Sequence, residues 1–151
     1  YGAGGIWALK WDASDAKWKD YNHPIDSWHA GMALLGSLQM SILKYFFINL
    51  PWSNLTPRFT DLAWSIWEDP DRSTILATVD NSLYVAYCHG KTSKGKLKQL
   101  ASSGTYEVRW FNPRIGAYEG NPFIIKPIKG EWDIPEMPTT QDWVLILKRL
   151  T

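Results

Sequence analysis

The chain is poor in residues that would supply covalent cross-links or a strong electric field. Its 151 residues include a single cysteine, Cys88, which excludes an intrachain disulfide framework and a thiolate cluster for zinc. Sixteen Lys and Arg stand against 15 Asp and Glu, so no basic field exists to collect phosphate groups, and a nucleic-acid-binding function is disfavoured. The length also excludes a complete eight-fold βα barrel, which needs roughly 250 residues.

Long apolar runs and metal-ligand spacing are missing as well. The stretch 32–50 comes nearest to a membrane span, but polar residues interrupt it. The three histidines, His23, His29 and His89, lack the helical spacing of metal ligands. We therefore expect no membrane span, no metal and no cofactor. The first residues lack the basic start and long apolar stretch of a signal peptide, and we interpret the chain as the C-terminal part of a longer protein.

Aromatic residues are what the chain has in abundance. Ten Trp, seven Tyr and five Phe make up 15% of the residues, whereas charged residues make up 21%. Aromatic side chains dominate protein cores and also stack on sugar rings. The excess therefore fits a globular carbohydrate-active protein.

The first half of the sequence predicts a loop, a helix and a connecting segment. Residues 1–25 form a long loop rich in Gly and Trp, and Asp26 can cap a helix over residues 27–50, in one piece or two. Pro51 ends that helix. The segment 51–72, hereafter the Trp-rich segment, has no clear period, and we expect its tryptophans to be buried: Trp52, Trp64 and Trp67.

From Ser73 onward the apolar period changes to two. Short runs rich in β-branched and aromatic residues predict about seven strands, at 74–79, 83–88, 96–100, 106–111, 117–118, 123–128 and 143–147. Asp80 and Asn81 lie between the first two runs and indicate a tight hairpin. The predicted fold is mainly β, a small antiparallel β-sandwich preceded by the loop and one helix.

Three segments of the second half carry a family pattern: 77–87 (ATVDNSLYVAY), 108–116 (VRWFNPRIG) and 142–147 (DWVLIL). This part resembles the small β-sandwich named as a collagen-binding domain, which is appended to bacterial glycoside hydrolases that include apiosidase-like enzymes. The first half resembles the last βα unit of the catalytic barrel in the same proteins. The matching residues there are Tyr1-Gly2, Gly5-Ile6-Trp7, Trp28, Gly36 to Met40, Pro51-Trp52 and Leu55-Thr56-Pro57. Leu35 stands where the family usually has Pro.

The resemblance implies three regions and an incomplete active site. These are a C-terminal βα element of a glycoside hydrolase (β/α)8 barrel over residues 1–57, a Trp-rich connector over 58–73, and a β-sandwich accessory domain over 74–151. The acid/base and nucleophilic carboxylates would lie upstream of Tyr1, so we assign no catalytic residue in this chain. A longer parent hydrolase would act on plant-type polysaccharide, be secreted or periplasmic, and need a barrel supplied by its own N-terminal part or by a second chain.

The candidate substrate-binding residues lie in the first loop. Loops after the strands of such a barrel form its active-site face, where Tyr1, Trp7 and Trp11 could stack on a sugar ring. These rings could equally pack the loop alone. The acidic residues nearby have ordinary solvated or capping roles: Asp12, Asp15, Asp20 and Asp26.

Two roles are open for the sandwich itself. It could buttress the barrel, or it could be a non-catalytic module that binds carbohydrate or fibrous protein. A carbohydrate-binding face needs several exposed aromatic residues on one side, yet Tyr84, Trp110 and Trp143 lie inside apolar strands, where burial in the core is expected. The sequence therefore favours the buttress.

Overall fold

The computed structural model describes residues 33–69, 73–90 and 94–150. The chain divides into two compact units, Tyr1–Phe46 and Phe47–Thr151. The described residues form one α-helix, one 3-10 turn at Trp52–Asn54 and nine strands. These are α1 (Leu35–Ile48), β1 (Leu55–Pro57), β2 (Ser65–Trp67), β3 (Ser73–Thr78), β4 (Leu83–Cys88), β5 (Gly95–Leu97), β6 (Tyr106–Asn112), β7 (Ala117–Ile125), β8 (Trp132–Asp133) and β9 (Trp143–Arg149).

Helix α1 lies within the predicted range 27–50. The Leu34 carbonyl accepts hydrogen bonds from the backbone N–H groups of Ser37 and Leu38 at its start, and Pro51 follows its last turn. The predicted cap Asp26 and the beginning of the predicted helix lie outside the described residues. In the part of the chain that the structure describes, no helix is long and apolar enough to cross a membrane.

The strands form two antiparallel sheets. One has six strands in the order β1-β3-β4-β9-β6-β7, and the other has three in the order β2-β5-β8. Every strand pairing within them is antiparallel. The predicted mainly β fold, a small antiparallel sandwich, is confirmed.

The core lies between the two sheets. In the pairing of β4 with β9, Tyr84 stands opposite Leu147, and Cys88 stands opposite Trp143, so one face of the large sheet carries all four. Leu97 of the small sheet joins the same cluster. The buried cluster comprises Ile75, Ala77, Tyr84, Ala86, Cys88, Leu97, Leu100, Tyr106, Val108, Trp110, Ile134, Trp143, Leu145 and Leu147.

The opposite face of the six-stranded sheet is also apolar. It carries Leu83 and Val85 from β4, Phe111 from β6, and Val144 and Ile146 from β9, all of them buried. Strands that are buried on both faces appear in sequence as continuous apolar runs rather than as alternating ones. That is why β4 and β9 were visible in the sequence.

Three short strands and one long strand differ from the prediction. Strands β1, β2 and β8 are two or three residues long, too short to show a period. Strand β7 joins two predicted strands, because a bulge opposite Val108 and Trp110 carries the chain past Gly120 and Pro122 without ending the pairing. As an edge strand it tolerates a proline, which cannot donate to a ladder.

The hairpin predicted at Asp80 and Asn81 is confirmed. The connection between β3 and β4 has four residues, and Asn81 takes the left-handed conformation with φ of 59°. The Thr78 side-chain oxygen accepts hydrogen bonds from the backbone N–H groups of Ser82 and Leu83, both at 3.0 Å. The Ser82 hydroxyl donates to Asp80 at 2.7 Å, and such bonds to the Asp80 carboxylate lower its pKa to about 2.

The Trp-rich segment is part of the sandwich rather than a bare linker. Strands β1 and β2 both lie in it, and Trp64 and Trp67 pack against the buried core. The Arg58 guanidinium lies 4.4 Å from the centre of the Trp64 ring. The expectation of burial is wrong for Trp52, which is 59% exposed.

Candidate functional site

The predicted substrate-binding residues cannot be placed. Tyr1, Trp7 and Trp11 lie outside the described residues, as do the acidic residues Asp12, Asp15, Asp20 and Asp26. Two features of the described chain bring together polar and aromatic side chains from distant segments. One is a cluster around Asp142 at one end of the sandwich, and the other is a groove beside Trp67.

The Asp142 cluster joins the end of β4 to the start of β9. The Tyr87 hydroxyl donates to one carboxylate oxygen of Asp142 at 2.6 Å, and the Gly90 N–H donates to the other at 3.0 Å. Burial raises the pKa of Tyr87 well above its ordinary range, and the hydrogen bond to the Asp142 carboxylate raises it further. Tyr87 is therefore held in its neutral, donating form.

Arg114 ties the turn after β6 to the same cluster. Its guanidinium donates to the Asp142 carbonyl, and it lies 5.0 Å from the centre of the Trp143 ring. The Asn112 side chain accepts from the Arg114 N–H at 3.1 Å, which closes the turn. Arg114 therefore joins this turn to Asp142 and Trp143.

The cluster has the chemistry of a structural tie. Both carboxylate oxygens of Asp142 accept protein hydrogen bonds, and the neighbouring Trp143 ring packs edge-on against Trp110 at 6.4 Å between centres. A general acid or base needs a free oxygen within reach of substrate. The segments 108–116 and 142–147, which carry the family pattern, thus meet to hold the end of the sandwich together.

The groove beside Trp67 has a cavity volume of about 880 Å³. Its walls come from the end of β2, the start of β5 and the chain from Asp133 to Thr140. It is lined by Ile66, Trp67, Glu68, Lys94, Gly95, Lys96, Asp133, Ile134, Pro135, Glu136, Met137, Thr139 and Thr140. Pockets of 300–1,000 Å³ are typical of small-ligand sites.

Gly95 supports the Trp67 ring. A Cβ at position 95 would lie 2.4 Å from Cε3 of Trp67 and 2.9 Å from both Cδ2 and Cζ3, so only glycine allows the ring to lie this close. These three distances are similar because the Cβ position lies above the face of the ring rather than beyond its edge. The face of the Trp67 ring therefore covers Gly95. The indole N–H is satisfied within the strand, because it donates to the Ser65 hydroxyl at 2.9 Å.

Backbone hydrogen bonds hold the groove open. The Ile134 N–H donates to the Gly95 carbonyl at 2.8 Å, and the Glu68 N–H donates to the Lys94 carbonyl at 3.0 Å. On the far wall, the Thr139 hydroxyl oxygen accepts from the Trp143 indole N–H at 3.1 Å. The groove is therefore preformed, and its far wall is fixed to the strand that carries the Asp142 cluster.

Opposite charges are paired along the groove. The Lys96 ammonium lies 3.2 Å from Glu131 and 3.6 Å from Asp133. These two carboxylates, chiefly Glu131, hold the pKa of Lys96 above its ordinary value. A second hollow of about 610 Å³, lined partly by Trp132, shares Lys96 and Asp133 with the groove.

Sequence reasoning missed the groove. Its residues come from three segments between Ile66 and Thr140 that no motif connects, and Gly95 gave no turn signal because its role is a close approach to a ring. Among the described residues, no group of three or more His, Cys, Asp or Glu could hold a metal ion.

A comparison with known protein families identifies the family of this sandwich. Residues 66–148 match the family described as "Putative collagen-binding domain of a collagenase". The chain belongs to this family. The match covers more than half of the chain and includes the groove and the Asp142 cluster. No curated protein matches the chain.

Two solved structures share the fold. A structure described as "Glycoside hydrolase" matches with a TM-score of 0.65 and 17% identity over 98% of this chain. A glycoside hydrolase family 5 protein from Bacteroides vulgatus ATCC 8482 matches with a TM-score of 0.58 and 17% identity over 81% of this chain. The chain spans 32% of the first structure's length and 26% of the second's. The predicted resemblance to the C-terminal part of a glycoside hydrolase is confirmed.

Proposed function

We propose that this chain is the C-terminal part of a glycoside hydrolase that acts on plant-type polysaccharide. In this proposal the first unit, residues 1–46, completes the catalytic barrel. The sandwich, which includes β1 and β2 from the expected barrel element and connector, buttresses the barrel. The two solved structures described above are glycoside hydrolases about three times as long as this chain. Catalysis then belongs to carboxylates outside this chain, and Tyr1, Trp7 and Trp11 contribute to sugar binding.

The observation that carries the proposal is an exposed apolar stripe on α1. Leu35, Leu38, Tyr45 and Ile48 recur at helical spacing, and their side chains are 63%, 59%, 62% and 60% exposed. Lys44 is the one charged residue of the helix. A solvent-facing helix surface is normally charged or polar. An exposed apolar stripe therefore indicates that further protein covers this side of the helix. The remaining part of a barrel is such a cover.

The six-stranded sheet supports the buttress role. Its second face carries Leu83, Val85, Phe111, Val144 and Ile146, whereas the three-stranded sheet covers the opposite face. A sheet that is apolar on both faces is the middle layer of three. Because these five residues are buried within this chain, the sheet is packed on both faces and forms a rigid layer suited to supporting a neighbouring barrel.

The stripe can be tested by the association of the chain. We expect concentration-dependent association in sedimentation velocity, and we expect Leu38→Glu to abolish it because a charge in an apolar contact is costly. Lys44→Glu is the matched control on the same helix. A chain that stays monomeric at high concentration, with Leu38→Glu changing nothing, would contradict the proposal.

The assignment of catalysis elsewhere can be tested by activity. We expect no turnover by this chain on arabinan, pectin or aryl glycosides, because glycoside hydrolysis needs a carboxylate pair. We expect activity on one of these substrates once the chain is joined to its N-terminal barrel. Turnover by this chain alone, lost when an acidic residue of the first loop is replaced, would overturn the assignment.

A further inference from the structure

We propose that the groove beside Trp67 binds a neutral carbohydrate chain. This inference goes beyond the proposed function, because a buttress needs no ligand on the three-stranded sheet. The groove lies between β2, β5 and the chain from Asp133 to Thr140. The residues that line the groove differ from those of the apolar second face of the six-stranded sheet.

The floor of the groove offers an apolar surface. Trp67 lines it, and so do Ile66, Pro135 and Met137. Gly95 supports the indole from one side, so the ring cannot turn away without losing that contact. A fixed aromatic ring with apolar neighbours matches the C–H face of one pyranose or furanose ring. The rest of a bound chain would depend on the polar rim rather than on the several exposed aromatic residues of a stacking face.

The rim of the groove favours a ligand without net charge. It carries the ammonium groups of Lys94 and Lys96 and the carboxylates of Glu68, Asp133 and Glu136. Lys96 is already paired with Asp133 and Glu131. A phosphate or a nucleic acid would need an excess of positive charge, and an apolar helix would leave these groups without water or a partner.

The hydrogen-bonding capacity of the rim favours a sugar over a proline-rich peptide. Carboxylates only accept hydrogen bonds, whereas the Thr140 hydroxyl can both donate and accept. The Thr139 hydroxyl already accepts from the Trp143 indole and from the Gln141 N–H, so it is available as a donor. Sugar hydroxyls supply donors to the carboxylates of Glu68, Asp133 and Glu136. A proline-rich strand has few N–H groups, since proline has none, and would leave these carboxylates unpaired.

The test is a titration of the ¹⁵N-labelled 151-residue chain with xylohexaose, arabinohexaose and cellohexaose, followed by ¹H–¹⁵N NMR. We expect at least one of them to shift the Trp67 indole N–H and the Gly95 amide in a saturable way. A collagen-like peptide with proline repeats is the competing probe. The indole signal of Trp52, which does not line the groove, is the internal reference.

Variants locate the binding. Glu136→Ala and Thr140→Ala change exposed rim residues and should preserve the fold. We expect Glu136→Ala to weaken saccharide binding about tenfold, which is the effect of one lost charge-assisted hydrogen bond. Trp67→Leu should weaken it at least as much. Glu119→Ala and Trp52→Leu change exposed residues that do not line the groove, and both variants should bind like the parent chain.

Three results would overturn the proposal. The first is the absence of a saturable shift with every saccharide tested. The second is saccharide binding that persists in both Glu136→Ala and Trp67→Leu. The third is binding of the collagen-like peptide without binding of any saccharide. Loss of hydrolase activity in the longer protein is a separate result, because this titration measures binding by the sandwich without turnover. The proposed function can therefore fail while this inference stands, and the reverse also holds.

Discussion

Tyr87 donates a hydrogen bond of 2.6 Å to Asp142 across 55 positions of the chain. Tyr87 lies near the end of β4, and Asp142 immediately precedes β9, which pairs with β4 over six residue pairs. The bond therefore closes the end of the central pairing of the large sheet. Because Asp142 also accepts from Gly90 and its carbonyl accepts from Arg114, one residue holds three segments together.

We expect Asp142→Ala to destabilise the sandwich by about 2–3 kcal/mol, since it removes a charged acceptor and leaves the Gly90 N–H without its side-chain partner. Tyr87→Phe should cost about 1 kcal/mol, because it removes one hydrogen bond and keeps the ring. Urea unfolding measures both. Tyr118→Phe is the control, since its ring packs on Phe111 and is retained. Equal unfolding free energies for Asp142→Ala and the parent chain would show that the Asp142 cluster does not stabilise the sandwich.

Stability should fall in alkali. Burial raises the pKa values of Tyr84 and Tyr87 in the folded chain above their ordinary value of 10.0. A group whose folded pKa is raised contributes stability below its unfolded pKa, and this contribution is lost as the pH rises above it. The unfolding free energy should therefore decrease from pH 10 upward. In Tyr87→Phe the unfolding free energy should decrease less steeply with pH. An unchanged slope would contradict a raised pKa for Tyr87 in the folded chain.

The sequence predicted the elements that are long and regular. β4 and β9 carry continuous apolar runs, and Asp80 and Asn81 mark the hairpin between β3 and β4, so these parts could be predicted from the local pattern. The resemblance also picked out 108–116 and 142–147, but it could not show that Arg114 and Asp142 meet. That contact depends on the order of strands in the sheet.

The short strands and the groove were not readable for a physical reason. β1, β2 and β8 form because neighbouring strands offer free edges, and two or three residues carry no periodicity of their own. The groove needs Trp67, Gly95 and Glu136, which are brought together only by the three-stranded sheet. Whether Tyr1, Trp7 and Trp11 bind sugar stays a prediction.

The tryptophans of the Trp-rich segment should differ in their effect on stability. Trp64 packs on Tyr84 at 6.0 Å and beneath Arg58, so Trp64→Ala should cost about 2–4 kcal/mol through the lost burial and the cavity. Trp52 is 59% exposed, and Trp52→Ala should change stability by less than about 0.5 kcal/mol. Thermal unfolding of the two variants checks this. Equal melting temperatures would show that the segment is a free linker.

The Asp80 carboxyl should titrate with a midpoint near pH 2, because the Ser82 side chain and the nearby Thr78 side chain stabilise its charged form. The stability this provides is present above pH 3.8, the ordinary pKa, and is lost as the pH falls through the folded value. NMR of the side-chain carboxyl carbon measures the midpoint. In Ser82→Ala it should move back towards 3.8, and an unmoved midpoint would refute the role of the serine.

The contact between Gly95 and Trp67 can be isolated by a double-mutant cycle. Gly95→Ala places a Cβ 2.4 Å from Cε3 of Trp67, so the indole or β5 must shift, at a cost of about 1–3 kcal/mol. Trp67→Leu alone also destabilises the chain, because it removes packing against the core. In the Trp67→Leu background, Gly95→Ala should cost less than about 0.5 kcal/mol, since the clash is gone and the extra methyl restricts the unfolded chain. Additive costs in urea unfolding would show that the two residues act independently.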